Sequence, residues 1–132
     1  MPCRKTTRVA AAVIEKEGRV LICQRAKDDS HPGKWEFPGG KIERGESERE
    51  ALARELVEEL AIHASIGREI ARAAYAYSEN HRVELVFFAV SEFEGEPDNR
   101  TFAEIRWEVR ARLPEYDFLE ADLPLVRSLA GL

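Results

Sequence analysis

The sequence predicts a mixed α/β fold of the α+β kind, an α/β/α sandwich with a mixed sheet, a central helix and a C-terminal helix. Three observations carry that expectation. Apolar, β-rich runs lie on both sides of one long charged segment. That segment, from about Ser47 to Leu60, has no proline or glycine and many good helix formers. The strands and the helix do not alternate as regular βαβ units would.

Taken in order, residues 8–14 (RVAAAVI) and 20–25 (VLICQR) read as strands joined by the turn-like EKEG, a hairpin signal. The loop AKDDSHPGK leads to WEFPGGK and then to the helix. Beyond it, REIARAAYAYS, RVELVFFAVSEF and AEIRWEV are strand-like, with GEPDN separating the last two. ADLPLVRSLAGL reads as a short closing helix. There is no internal repeat, and 132 residues make one domain, 1–132, large enough for a core without staples.

The net charge of −5 argues against a nucleic acid polymer as partner, since that requires a basic face. A nucleotide is still allowed, because a divalent cation can carry the positive charge. Cys3 and Cys23 form no metal-ligand spacing, and Cys23 lies in an apolar run that suits a buried reduced thiol. The first apolar run is too short for a signal peptide, and no stretch approaches a membrane span, so a soluble cytoplasmic protein without a membrane partner is expected.

The charged helix carries the functional signal. At about 100° per residue, Glu55 and Glu59 lie about 40° apart, with Glu58 about 60° to the other side, so all three share one face. Leu52, Leu56 and Leu60 form a neighbouring stripe about 100° away, the expected core side. Ala51, within the carboxylate arc, leaves room above it. One reading is a solvated helix with Arg49 and Arg54 as ordinary ion-pair partners. The other is a set of carboxylates gathered around a hard cation, whose preference is for oxygen ligands.

The wider pattern favours the second. Gly40, five residues, Glu46, seven residues, then Arg54-Glu55-Leu56-Val57-Glu58-Glu59-Leu60-Ala61-Ile62 closely resembles the signature box of the Nudix hydrolases, and WEFPGGKIE resembles its MutT-like branch. The resemblance spans nearly the whole chain. It implies the Nudix sandwich, Mg²⁺ (or Mn²⁺) as cofactor, and a nucleoside diphosphate linked to another moiety as substrate. In the MutT-like branch, water attacks a nucleoside triphosphate to give the monophosphate and pyrophosphate. By the same resemblance, Glu55, Glu58, Glu59 and the carbonyl of Gly39 are metal ligands, and Glu46 with Arg54 braces the loop against the helix. Monomer and homodimer both stay open.

Two positions depart from the family pattern. Ala61 stands where the family has glycine, at a helix end that suits a left-handed residue. The further metal-site carboxylate, counted back from Trp107, falls on Thr101; Glu104 is the candidate replacement, with an exposed strand glutamate as its other reading. Arg25, Phe37 and Asp122 fall where MutT-like enzymes contact the nucleoside. Each has a plainer role too: strand-end charge, core aromatic and helix N-cap.

An ionised Asp122 only accepts hydrogen bonds, which suits the amino group of cytosine or adenine; a protonated one also donates, which reopens oxidised guanine. The segment EADLPLV also resembles that of bacterial CTP pyrophosphohydrolases. The expectation is a pyrophosphohydrolase leaning to cytosine nucleotides, with 8-oxo-dGTP as the main rival. ADP-ribose, dinucleoside polyphosphates and a non-enzymatic nucleotide sensor rank lower. A di-iron carboxylate bundle needs Glu-x-x-His on paired helices, which the chain lacks.

Overall fold

The computed structural model describes residues 5–132, so Cys3 lies outside the described residues. The first strand, β1 (Lys5–Lys16), is the axis of the sheet. It turns at Glu17 and Gly18, both with positive φ (53° and 77°), into β2 (Arg19–Gln24). Two short strands, β3 (Trp35–Glu36) and β4 (Gly39–Lys41), flank Pro38. Helix α1 (Glu48–Leu60) follows, then β5 (His63–Ser65), β6 (Glu69–Ser78), β7 (His81–Val90), β8 (Glu92–Glu94) and β9 (Glu104–Val109). Two 3₁₀ turns, Arg110–Glu115 and Glu120–Asp122, lead to α2 (Leu123–Leu129).

The main sheet runs β3-β2-β1-β7-β6, with β4 also on β1 and β9 on β2, while β5 and β8 form a separate pair. It is mixed: β1 and β7 are parallel from Lys5↔His81 to Ile14↔Val90, and the other pairings are antiparallel. β1 is central, which explains its unbroken apolar run. Alternate side chains bury on opposite faces, and both faces are covered.

Ala10, Ala12 and Ile14 face α1, packing with Leu21, Leu52, Leu56, Leu60 and Phe88. Ala11 and Val13 face the other way, into a core of Val20, Ile22, Phe37, Phe87, Phe118 and Val126 beneath α2. The leucine stripe of α1 is therefore its buried face, and all three leucines are inaccessible to solvent. Cys23 is buried as well. Among the described residues no helix is long and apolar enough to cross a membrane.

Several boundaries differ from the sequence reading for local reasons. Ser47 is the N-cap, its hydroxyl accepting from the Glu50 N–H while the Glu50 side chain returns a bond to the cap, so α1 begins at Glu48. RVELVFFAVSEF divides into β7 and β8 at Ser91. The closing helix is shorter than its sequence run, because its start is a 3₁₀ turn followed by Pro124 in the first turn of α2.

Helix α1 ends at Ala61, which adopts φ 57°, ψ 32° and donates its N–H to the Leu56 and Val57 carbonyls. An L-residue pays a steric cost in this left-handed geometry that glycine avoids. Ala61→Gly is therefore expected to stabilise the fold by about 1 kcal/mol in urea denaturation, without changing the slope of the transition. A destabilised variant would mean that the alanine methyl contributes more to packing than the strained backbone loses.

Candidate active site

The site begins where Pro38, Gly39 and Gly40 cross over β1. The Pro38 carbonyl accepts the Ala12 N–H at 2.8 Å, which presses the glycines against the strand. A Cβ on Gly39 would collide with the Ala10 carbonyl, and one on Gly40 with the carboxylate of Glu55. Gly39 is thus required by close approach to the β1 backbone, whereas a side chain at Gly40 would displace the Glu55 carboxylate. The Gly39 N–H, in turn, donates to Glu59 Oε1 at 3.0 Å.

Arg54 organises the carboxylates around it. Its Nε and Nη2 form a fork on Glu46 (2.7 and 2.9 Å), Nη1 reaches Glu55 (2.9 Å) and Glu58 (3.2 Å), and Nη2 also donates to the Lys41 carbonyl (3.1 Å). Glu46 accepts the Glu43 N–H as well. The fork and that N–H hold the Glu46 carboxyl down to about 2, so it is ionised throughout the physiological range.

Glu55 and Glu59 shift the other way. Burial raises Glu55, with Arg54 opposing the rise. Burial raises Glu59 to about 9, and the neighbouring Glu55 adds to it; only the Gly39 N–H bond opposes. Among the described residues no cationic side chain pairs with Glu59, and no three His, Cys, Asp or Glu side chains converge as a preformed metal site. Glu58 is drawn outward to Arg54, and Glu59 inward to Gly39. The donor set still fits a hard divalent cation: carboxylate oxygens crowded on one face, one of them holding a proton for want of positive charge.

From Gly39, Gly40, Glu55 and Glu59 a cavity of about 440 Å³ extends along the sheet to Phe37 and Asp122. Chain pairing brings Asp122 there. The C-terminal segment runs beside β3 through a parallel bridge between Trp35 and Phe118, with Trp35 bonded to the Asp117 carbonyl and the Leu119 N–H. Asp122 is 2% exposed and makes no side-chain cap bond to α2, so its N-cap role is positional only. Burial pushes its carboxyl well above the usual range; Glu36 adds to the rise and Arg25 opposes it.

Arg25 also lines the cavity, but protein groups occupy its guanidinium: Glu36 and Asp29 at 2.9 Å each, with the Ser30 carbonyl and hydroxyl at 2.6 and 2.9 Å. Phe37 is 4% exposed and packs against Phe87 and Phe118 while its surface still borders the cavity. Glu104 lies elsewhere. It sits on β9 paired with Arg106 and is not part of the cavity wall, where Thr101 and Phe102 stand instead.

A family model described as NUDIX domain matches residues 4–129. The chain belongs to the Nudix hydrolase family. It is 35% identical over 128 residues to a CTP pyrophosphohydrolase of Escherichia coli K12, covering 97% of this chain and 94% of that protein. It is 33% identical over 129 residues to an 8-oxo-dGTP diphosphatase of the same organism, covering 97% and 99%. In three dimensions it matches the E. coli ORF135 protein with a TM-score of 0.86 at 34% identity, covering 98% and 91%. A MutT structure from the study of Aliivibrio salmonicida and Vibrio cholerae matches with a TM-score of 0.81 at 29% identity, covering 96% and 98%.

This Nudix site also contains residues that the sequence reading passed over. Glu36, His31, Tyr77 and His81 all line the cavity. Glu36 had a signal, a carboxylate wedged between Trp35 and Phe37 just before the glycine pair. Tyr77 had none, since AYAY on an edge strand reads as ordinary β-sequence.

Linkage gives a pH prediction for this Nudix chain. A carboxyl whose folded pKa is raised binds its proton more tightly when folded, so stability falls as the pH climbs from the ordinary carboxyl range to about 9. Asp122 acts in the same sense. If Mg²⁺ takes the place of the Glu59 proton, it should bind more tightly at about pH 9 than at about pH 6 and restore stability there. Urea denaturation across this range, with EDTA or with Mg²⁺, should show the decline, its reversal by the metal, and a shallower decline in Glu59→Gln. A flat profile that ignores Mg²⁺ would contradict the assigned proton.

Proposed function

We propose that this chain hydrolyses nucleoside triphosphates to the monophosphate and pyrophosphate, with a preference for cytosine nucleotides. The observation that carries this reading is one cavity with two chemically distinct ends, Glu55 and Glu59 beside the Gly39–Gly40 turn at one and the buried Asp122 beside Phe37 at the other. Relatives named for CTP and for 8-oxo-dGTP hydrolysis at similar identity support the triphosphate class.

At the phosphate end, Glu55, Glu58, Glu59 and the Gly39 carbonyl would hold Mg²⁺. When bound, the ion neutralises phosphate charge and lowers the pKa of a bound water. Arg54 orients Glu55 and Glu58, and Glu46 fixes Arg54, so these two position ligands rather than touch the reacting atoms. The glycine pair lets main chain approach where side chains would block. Water attacks phosphorus, the phosphoric anhydride bond breaks, and pyrophosphate leaves.

At the base end, burial and the neighbouring Glu36 favour the protonated form of Asp122, which would present one donor and one acceptor. That pair complements cytosine, whose amino group donates beside an accepting ring nitrogen. It also complements 8-oxoguanine, where the ring N–H lies beside O6. Ordinary guanine offers two acceptors on that edge and fits less well. Glu36, close enough to raise Asp122, is a further acceptor that favours the amino-bearing base and opposes a carbonyl oxygen there.

Pyrophosphate release with Mg²⁺ is measured over CTP, dCTP, 5-methyl-dCTP, dATP, dGTP, 8-oxo-dGTP and ADP-ribose. The cytosine set should lead; a lead for 8-oxo-dGTP would transfer the preference to the rival base. Asp122→Leu, which removes both hydrogen-bonding groups, should erase the preference among the triphosphates, and an unchanged ranking would remove Asp122 from base recognition. Glu58→Gln should lower kcat at least about a hundredfold with the fold intact, because it removes a charged ligand. Near-wild-type turnover would sink that assignment.

A further inference from the structure

The cavity has an aromatic wall that the chemistry above does not use. Tyr77 lies on β6, the edge strand of the sheet, and His31 lies in the loop that Arg25 ties down. Their rings meet with centroids 4.9 Å apart and planes inclined by 49°. Both border the same cavity as Phe37 and Asp122. Core packing accounts for Tyr77 only in part, since it is half-buried at the edge of the core, and not for His31, which is exposed.

The other end of Tyr77 is also engaged. Its hydroxyl accepts the backbone N–H of Ala121 at 3.3 Å, within the 3₁₀ turn that carries Asp122. One side chain thus presents an aromatic face to the cavity and holds the turn bearing the buried carboxyl. Asp122 makes no cap bond of its own to α2, so backbone contacts such as this one set where it points.

We propose that Tyr77 determines nucleotide specificity, its ring serving with His31 as the platform on which the base stacks and its hydroxyl positioning the turn that presents Asp122. This inference rests on the nucleoside triphosphate reading above. The two halves of Tyr77 have separable consequences. Every base has a π face, so the ring contributes affinity with little regard to identity. Selection by donor and acceptor depends on where Asp122 lies, and therefore on the hydroxyl.

Steady-state kinetics with Mg²⁺ on CTP, dATP and 8-oxo-dGTP separate these effects in Tyr77→Ala, Tyr77→Phe, His31→Ala and His31→Phe, with circular dichroism to verify folding. Tyr77→Ala loses both ring and hydroxyl, so it should raise KM for every nucleotide by about tenfold or more with kcat within about twofold, and shift the CTP to 8-oxo-dGTP ratio as Tyr77→Phe does. Tyr77→Phe keeps the ring and should shift the CTP to 8-oxo-dGTP ratio of kcat/KM about fivefold, the loss expected for one hydrogen bond. His31→Ala should raise KM about threefold, and the second aromatic ring in His31→Phe should restore it.

Unchanged KM in Tyr77→Ala, a loss confined to kcat, or a His31→Phe no better than His31→Ala would each overturn the platform. An unchanged ratio in Tyr77→Phe would overturn the positioning half. Should Tyr77→Ala fail to fold, the exposed His31 pair decides. If wild-type protein releases no pyrophosphate from any of the three, the proposed function fails and this inference with it. If wild-type is active and the variants keep its KM values and ranking, this inference alone fails.

Discussion

The candidate site depends on how Arg54 disposes of the negative charge around it. Glu55, Glu58 and Glu59 on one helical face repel one another, and the loop before the helix adds Glu43 and Glu46. Arg54 makes a planar fork with Glu46 and uses its remaining nitrogen on Glu55 and Glu58, joining loop to helix through a single guanidinium. A lysine ammonium, a point charge, could not bridge these groups with the same geometry. Because the loop is held, the Gly40 backbone can lie against the Glu55 carboxylate, and Gly39 can reach Glu59.

This arrangement leaves one carboxyl without compensation. Glu59 lies beyond the reach of Arg54 and receives only a backbone N–H, so burial and Glu55 keep it protonated. The two ends of the cavity share this condition: Asp122 is likewise desolvated beside another carboxyl, Glu36. The contrast lies in access to positive charge. Beside Glu59 the proposed cation would replace the proton, whereas beside Asp122 the guanidinium of Arg25 is already committed to Glu36, Asp29 and Ser30. Burial favours protonation there, which would turn an acceptor-only group into a donor and acceptor.

Legibility from the sequence followed the range of the interactions. The helix, its leucine stripe and the Glu46–Arg54 spacing were readable because each is a periodicity or a short offset along one segment. The strands of β1 and β2 were readable because central strands give continuous apolar runs. Glu104 shows the limit. Its chain position near Trp107 made it a candidate, but β9 pairs with β2 so that Glu104 meets Arg106, leaving Thr101 and Phe102 at the cavity. Arg25 shows another: its position pointed to ligand contact, while the loop fold shows a guanidinium used by protein groups.

The sequence by itself determined the Nudix family, the mixed sandwich and the carboxylate face of α1, since these follow from local pattern and from helix geometry. Only the tertiary structure decided that Ala61 takes the left-handed conformation, that Asp122 is desolvated without capping α2, and that His31 meets Tyr77 beside it. The last two depend on which distant segments share a strand edge or a loop. Burial and electrostatic environment are properties of that packing, and no spacing along the chain encodes them.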